Sequence, residues 1–330
     1  MFARSRARVQ TNEKALMRFG TTEADDAWHP PTTDDPFWTE TLWLRFAMPE
    51  RNLTGILYAI FRPNLRVSSL FVYLWDRTAA TEDTALYVHR AFHLPLPDDL
   101  RDVRLPGGFT YQCIEPLTSY DVHYDDDVEL RIDLRYTGVH PPVGRGPGET
   151  TTSYFQPSRV TGSVRFRGEE VEVECYELRG SAWGVRPDVR GRPRPADPAA
   201  AVGHADTYAA SADTTFFLGT SGDLSTTTFH SGFFLRDREI QRIVEGRRTV
   251  RRSDAGHPES IEVEARDATG RSFRALGTCV NQLYIPMPSY VMWSSGVQWD
   301  VDGELMWGGD DDVPGGRPAR RLRPAGTRGA

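Results

Sequence analysis

Apolar and polar residues alternate along most of this chain with a period of two. Between Asp127 and Tyr136, Val128, Leu130, Ile132, Leu134 and Tyr136 fall on one side. Asp127, Glu129, Arg131, Asp133 and Arg135 fall on the other. Successive side chains of a strand point to opposite faces, so this spacing predicts a strand with one buried and one wet face. Leu42, Leu44, Phe46 and Met48 repeat the pattern, whereas residues 54–61 and 67–75 are apolar on both faces, as strands covered on both sides should be. Turn residues separate the runs at Arg167-Gly168-Glu169, Thr220-Ser221-Gly222-Asp223, Asp267-Ala268-Thr269-Gly270 and Asp302-Gly303. Short β-branched and aromatic runs joined by such turns predict sandwiches or barrels. Helical periodicity is confined to a turn or two at Glu13–Phe19 and around Pro198–Ala210. The expected fold is all-β: two packed antiparallel β-barrels or sandwiches with little helix, closed or nearly closed because closure removes sticky edges.

A chain of 330 residues is long enough for two domains. The Gly/Pro-dense stretch Gly138–Glu149 reads as the break between them. The expected partition is a flexible arm at 1–24, a first β-domain at 25–142, a linker at 143–149, a second β-domain at 150–311 and a disordered tail at 312–330. Arg186–Ala201 reads as a long loop within the second unit. Met17 would serve as a start as well as Met1.

Composition narrows the function classes. With 39% hydrophobic and 26% charged residues the chain can build a real core. No run approaches the ~18 apolar residues of a membrane helix, so no integral membrane association is expected. Net charge is −7, and of the 39 basic residues all but Lys14 are arginine. An acidic balance argues against a nucleic-acid partner, and the arginine skew fits a GC-rich genome. Three widely spaced cysteines support neither a disulfide scaffold nor a zinc site. With no apolar segment after the basic N-terminus, a cytoplasmic location is expected. The signatures of P-loop, dinucleotide, zincin and serine-hydrolase sites are missing, so neither cofactor nor metal is expected. Asp125-Asp126-Asp127 and Asp310-Asp311-Asp312 read as a solvated turn and the edge of the tail. His89 and His93 lie on one strand face about 13 Å apart, too far to share a metal. A monomer or homodimer is expected.

Aromatic content is more informative: 8 Trp, 12 Tyr and 16 Phe, many in strand-like runs. Most should pack the core. An aromatic-walled cavity would suit an apolar small-molecule ligand and would stabilise a carbocation through the ring quadrupoles.

Two motifs carry a family resemblance. The first runs HPPTTDDPFWTETLWLRF, from His29, and continues as GILYAIFRPN to Asn64. The second is YFQPSRVTGSVRFRGEEVEVECYELRGSAWGVRP, centred on Arg179, Trp183-Gly184 and Arg186. Together they resemble the two-domain lipocalin-like clan that includes carotenoid 1,2-hydratase (hydroxyneurosporene synthase) and bacterial relatives, many of them actinobacterial, over most of residues 25–310. The resemblance implies two lipocalin-like barrels. It also implies cofactor-free addition of water to an isoprenoid double bond, or pericyclic cyclisation in a shaped pocket. In many relatives the second motif reads Arg-Asp-x-Ser-Trp-Gly-x-Arg. Here Gly180 stands at the Asp position and Ala182 at the Ser position, so a donor must come from elsewhere. Glu40, His230 and Glu177 are the substitutes.

Glu40 shares a strand face with Trp38 and Leu42, and an apolar pocket would keep it protonated. The expected catalytic residues are therefore Glu40 and His230. The alternative for Glu40 is a pairing with Arg62 at the barrel mouth. Trp43, Tyr58, Arg62, Tyr176 and Trp183 are expected to contact the substrate, and Arg186 to orient it or to anchor Trp183. The leading expectation is a hydratase, hydro-lyase or cyclase acting on an apolar isoprenoid or terpenoid. A non-catalytic carrier of a lipid, steroid or terpenoid is the alternative. A carbohydrate-active sandwich would need two carboxylates facing each other across a groove, and no such pair is evident.

Overall fold

The described residues form nineteen strands. They are β1 (Trp38–Met48), β2 (Leu53–Arg62), β3 (Val67–Trp75), β4 (Tyr87–Pro95), β5 (Asp102–Leu105), β6 (Phe109–Glu115), β7 (Ser119–Asp125), β8 (Leu130–Gly138), β9 (Val143–Gly144), β10 (Thr152–Phe166) and β11 (Glu169–Val185). There follow β12 (Gly203–Ala210), β13 (Thr214–Gly222), β14 (Thr226–Arg236), β15 (Glu239–Arg252), β16 (Pro258–Asp267), β17 (Ser272–Pro286), β18 (Val291–Val301) and β19 (Glu304–Val313). The structure, a computed structural model, describes residues 21–144, 152–186, 203–222, 226–288 and 290–314. The first eleven strands form one sheet in the order β4-β3-β2-β1-β11-β10-β8-β7-β6-β5, with β9 beside β10. β12 to β19 close in chain order into an eight-stranded barrel. Neighbouring strands run antiparallel. The all-β, two-unit architecture is as the alternation predicts.

Local chemistry explains the hairpins. Arg167-Gly168 and Asp302-Gly303 both have two successive positive φ values (49° and 86°, 51° and 95°), the conformation of the tight turn whose twist matches its flanking strands. Asp237-Arg238 does the same between β14 and β15 without glycine (54° and 64°), which is why the sequence did not announce it. In β8, Leu130, Ile132, Leu134 and Tyr136 are buried as predicted. Val128, placed in that set from sequence, is 90% exposed. The Asp126 carboxylate accepts the backbone N–H groups of Val128, Glu129 and Leu130 (2.9, 2.7 and 3.0 Å), which holds Val128 in the turn.

The boundary at 143–149 is not where the units divide. β10 pairs with β8 and β11 pairs with β1, so both belong to the first sheet. Glycine and proline mark a turn, but which strands pair depends on which apolar faces complete a core. Val160, Val164, Val173 and Cys175 of β10 and β11 close the first one. The stretch read as a loop within the second unit instead joins sheet to barrel, and most of it lies outside the described residues. So do residues 1–20 of the expected arm, the helical turn at Glu13–Phe19 and most of the tail. Residues 203–210, the end of the other expected helical stretch, are a strand.

Two more expectations change at the ends. Thr21 is buried, with its hydroxyl donating to the Pro142 carbonyl (2.8 Å), and after the exposed residues 22–24 the chain is buried again at Asp26. Asp310-Asp311-Asp312 is not the edge of a tail but the end of β19, hydrogen-bonded to β12. Asp310 is buried inside the barrel, where Arg248 donates to both its oxygens (2.9 and 2.6 Å) and the Thr207 hydroxyl donates to one. A cation reaching across the barrel interior from β15 is what permits a carboxylate there.

The apolar double faces of β2 and β3 have a direct reason. Leu57, Phe61, Leu70, Val72 and Leu74 pack in the sheet's own core. Ile56, Tyr58, Ile60, Phe71, Tyr73 and Trp75 pack against Leu283, Ile285, Met287 and Met292 of the barrel side. Polar ties cross the same junction. The Asn281 side chain donates to the Asn52 carbonyl and accepts the Trp75 indole N–H (2.8 and 3.0 Å).

Candidate active site

Between sheet and barrel lies a cavity of about 420 Å³. Thr41 and Trp43 of β1, Tyr58 of β2, Ser153 and Phe155 of β10, and Leu178, Gly180 and Ala182 of β11 line the sheet side. His204, Asp206 and Tyr208 of β12, Phe217 of β13, Met292 of β18 and Asp311 and Val313 of β19 line the barrel side, with Tyr290 and Arg186. The rings are ordered: Phe155 stacks on Phe217 (centroids 4.3 Å apart), and Trp43 meets Tyr58 edge-on (4.8 Å). The barrel interior does not hold this space. Phe216, Phe234, Phe273 and Trp299 pack against one another there.

The charged groups come from strand alternation. His204, Asp206 and Tyr208 occupy every second position of β12 and share one face. Asp311 lies directly across from Asp206 in the ladder, so the two carboxyls are nearest neighbours, with Cβ atoms about 5 Å apart in such pairs. Asp311 accepts hydrogen bonds from the Ser294 hydroxyl (2.6 Å) and from Nη1 of Arg45 (3.1 Å). Arg45 is fully buried and reaches from β1 across the junction, where it also donates to the Ser294 hydroxyl (3.0 Å) and the Ser295 carbonyl (2.5 Å). Gly309 makes room for it, since a Cβ there would lie 2.8 Å from the guanidinium carbon. Burial pushes the Asp311 carboxyl up to about 6, with Asp206 and Asp310 adding to the rise and Arg45 opposing it. Glu177 of β11 is fully buried beside this group. It accepts the Tyr208 hydroxyl (2.6 Å), and burial raises its pKa as well.

Of the residues expected at the site, Trp43, Tyr58 and Arg186 line the cavity. Glu40 does not: it faces the opposite side of β1 from Thr41 and Trp43. There its buried carboxylate accepts the backbone N–H of His29 (2.7 Å) and contacts Nδ1 of that ring (3.0 Å). His29 in turn stacks on Trp183 (centroids 3.6 Å apart, planes within 10°) and reaches Asp25 (3.3 Å). Trp183 is therefore part of the seat of the N-terminal segment and is not among the cavity residues. The Arg62 guanidinium lies over the Phe37 ring (5.0 Å). Tyr176 is half-buried on β11 and His230 is exposed on β14, both away from the cavity lining. Asp206, Tyr208, His204 and Arg45 were not singled out from sequence, and Asp311 was read only as part of the tail's edge. The signal was the alternation His204-x-Asp206-x-Tyr208, which falls in a stretch read as helical.

A family model described as "Domain of unknown function (DUF7064)" matches residues 22–306, spanning both units. The chain belongs to the DUF7064 family. No curated protein matches it. Among solved structures, this DUF7064 chain is similar to a Nitrosomonas europaea protein described as a candidate AttH. That alignment has a TM-score of 0.57 at 15% identity and covers 86% of this chain and 95% of that one. It is similar also to CghA, with a TM-score of 0.56 at 11% identity, covering 85% and 89%. Kievitone hydratase from Nectria haematococca aligns with a TM-score of 0.47 at 11% identity, covering 86% and 93%. The first two likenesses show a shared fold.

Within the DUF7064 chain, both departures from the second motif fall on the cavity wall. Gly180 and Ala182 line it, and a Cβ at 180 would sit 2.9 Å from the Phe155 ring. The Phe155 ring lies against the space that a side chain at 180 would take. Arg179, the motif's first residue, faces away. Its buried guanidinium pairs with Asp26 (3.3 Å) and donates to the Tyr120 and Tyr154 hydroxyls (2.7 and 3.1 Å).

Proposed function

We propose that this cavity is the active site of a cofactor-independent hydratase, hydro-lyase or cyclase acting on an apolar, terpenoid-like substrate, with Asp311 as its general acid. The supporting observation is a largely enclosed carboxyl, its side chain 14% exposed and its pKa raised to about 6, set in a ring-walled cavity. A volume of about 420 Å³ is in the range that holds one small-molecule ligand. The ring-bearing part of the wall limits solvation of the carboxyl and so favours its neutral form. Protonated Asp311 gives its proton to an alkene carbon. The cation that forms lies among the faces of Trp43, Tyr58, Phe155 and Phe217. Water, or a nucleophile within the substrate, captures it and releases a proton to the site. Asp311 and Asp206 on β19 and β12 thus take the place of the Asp that relatives carry on β11 where this chain has Gly180.

Uptake of labelled water tests this reading. A lipophilic extract of the source cells is incubated with the protein in H₂¹⁸O, and mass spectra are searched for a metabolite that gains labelled water. The intact protein is expected to produce one. Asp311→Asn is expected to lose the activity by at least about 100-fold, the scale of general acid catalysis, while still binding an apolar dye such as Nile red. Equal label uptake by Asp311→Asn would overturn the role of Asp311. A co-purifying apolar ligand that is never altered would favour a carrier.

A further inference from the structure

We propose that Glu177 and Tyr208 form a second proton-handling unit of this site, in which the Tyr208 hydroxyl passes protons between the cavity and the buried Glu177 carboxyl. This rests on the acid–base reading of the cavity given above.

The placement carries the inference. Tyr208 lines the cavity, and its hydroxyl donates to Oε2 of Glu177 at 2.6 Å. Glu177 is fully buried, and its carboxyl reaches the cavity through that hydroxyl. Its other oxygen, Oε1, has no hydrogen-bond partner among the described residues. Nε of Arg45 is 4.0 Å away and is likewise without a partner there. A buried carboxyl with an empty acceptor position is costly as a purely structural element. The surroundings instead suit a group that changes protonation state. The groups facing it are Arg45 from β1, Tyr208 from β12 and Asp311 from β19, with Tyr136 of β8 and Cys175 of its own strand close by. Arg45 is the one cation among these, and it stands between Glu177 and Asp311. One positive charge balances one carboxylate, so in this dry region the second carboxyl holds a proton.

The proton count closes in the hydration direction. Asp311 starts protonated and Glu177 ionised. Asp311 loses its proton to the substrate carbon. As cavity water bonds to the cation, one of its O–H bonds breaks and that proton goes to the Tyr208 oxygen, while the original Tyr208 proton moves to Oε2 of Glu177. The pair ends with Glu177 protonated and Asp311 ionised, and exchange with solvent restores the start. Dehydration runs the same steps backwards. Tyr208 is the catalytic residue here and Glu177 acts through it.

Glu177→Gln and Tyr208→Phe test the relay in the same H₂¹⁸O assay, with Asp311→Asn alongside. A glutamine still accepts the Tyr208 O–H but takes up no proton. A structural Glu177 therefore predicts near-normal turnover in Glu177→Gln. The relay predicts loss of at least about 100-fold in kcat, little change in KM for the metabolite that takes up label, and loss of one limb of the pH–rate profile. Normal turnover in both Glu177→Gln and Tyr208→Phe beside an inactive Asp311→Asn overturns the relay and leaves the site reading standing. An active Asp311→Asn overturns the site reading itself. A substrate-free measurement stands independently of turnover: ¹³C NMR of labelled glutamate follows the Glu177 carboxyl. Its titration is expected to lie above the ordinary range and to move higher in Tyr208→Phe, where the donor to the carboxylate is gone. A carboxyl that titrates normally in both proteins overturns the proposal.

Discussion

At the residue scale, Asp311 shows how position sets chemistry. Its carboxyl is pushed from an ordinary value near 4 up to about 6 because burial disfavours the charged form more than Arg45 favours it. A folded-state pKa above the unfolded one means that the stability this group contributes is present below about pH 4. It is lost as pH rises through 6. Replacing it with a neutral isostere removes that loss. Asp311→Asn loses the charge opposite Arg45 at every pH, but its stability relative to the intact protein is expected to improve between pH 4 and 7 by up to about 3 kcal/mol, from a shift of roughly two units. Melting temperatures of the two proteins across that range check it, and a difference that does not change with pH would contradict the assigned burial. The same residue ties stability to activity, because turnover limited by protonated Asp311 falls about tenfold for each pH unit above 6.

At the element scale, the N-terminal segment is held by its own charge cluster. His29 is flanked by Glu40 and Asp25 and stacked on Trp183. Burial opposes its protonation, but the hydrogen bonds and charges of Asp25 and Glu40 win, and the ring rises to about 9. A raised histidine stabilises fully below pH 6.5 and loses that contribution as pH climbs through 9. The shift corresponds to roughly 3 kcal/mol at most. Thermal melts between pH 7 and 10 are expected to show the loss in the intact protein and a flatter profile in His29→Gln. Strand alternation did most of the remaining work at this scale. The buried faces of β1 and β8 were legible because one side of each strand is greasy. β12 was not, because His204, Asp206 and Tyr208 alternate with Ala205 and Thr207, and no greasy face marks the period. β10 and β11 were recognised as a hairpin, but sequence offered no measure of which core they would complete.

At the scale of the whole molecule, the junction between sheet and barrel carries both stability and site. Arg45 crosses it to contact Asp311, Ser294 and Ser295 and approaches Glu177. Removing one partner from a buried ionic group leaves the others uncompensated, typically at about 3–5 kcal/mol. Arg45→Met is expected to destabilise the protein by that amount and to raise the Asp311 pKa further, both measurable by denaturant titration and ¹³C NMR. A melting temperature unchanged from the intact protein would show that the guanidinium does not neutralise the pair. The apolar double faces of β2 and β3 anticipated that something covers the outer side of the first unit. They did not say that the barrel does, nor that the cavity lies at that contact and not inside a barrel.

The sequence by itself determined the class of fold, the strands with a greasy face, several tight turns and three of the cavity residues, Trp43, Tyr58 and Arg186. Each of these follows from neighbours within a few positions, through side-chain alternation, backbone preference and the short motifs. Tertiary structure alone decided which strands share a sheet, where the cavity lies, and that Glu40 faces His29 while Asp311 faces the cavity. The cavity and its charges depend on groups brought together from 130 or more positions apart, as Arg45 with Glu177 and Asp311. The enclosure that turns a carboxylate into an acid comes from strands packed around it, and no local pattern encodes it.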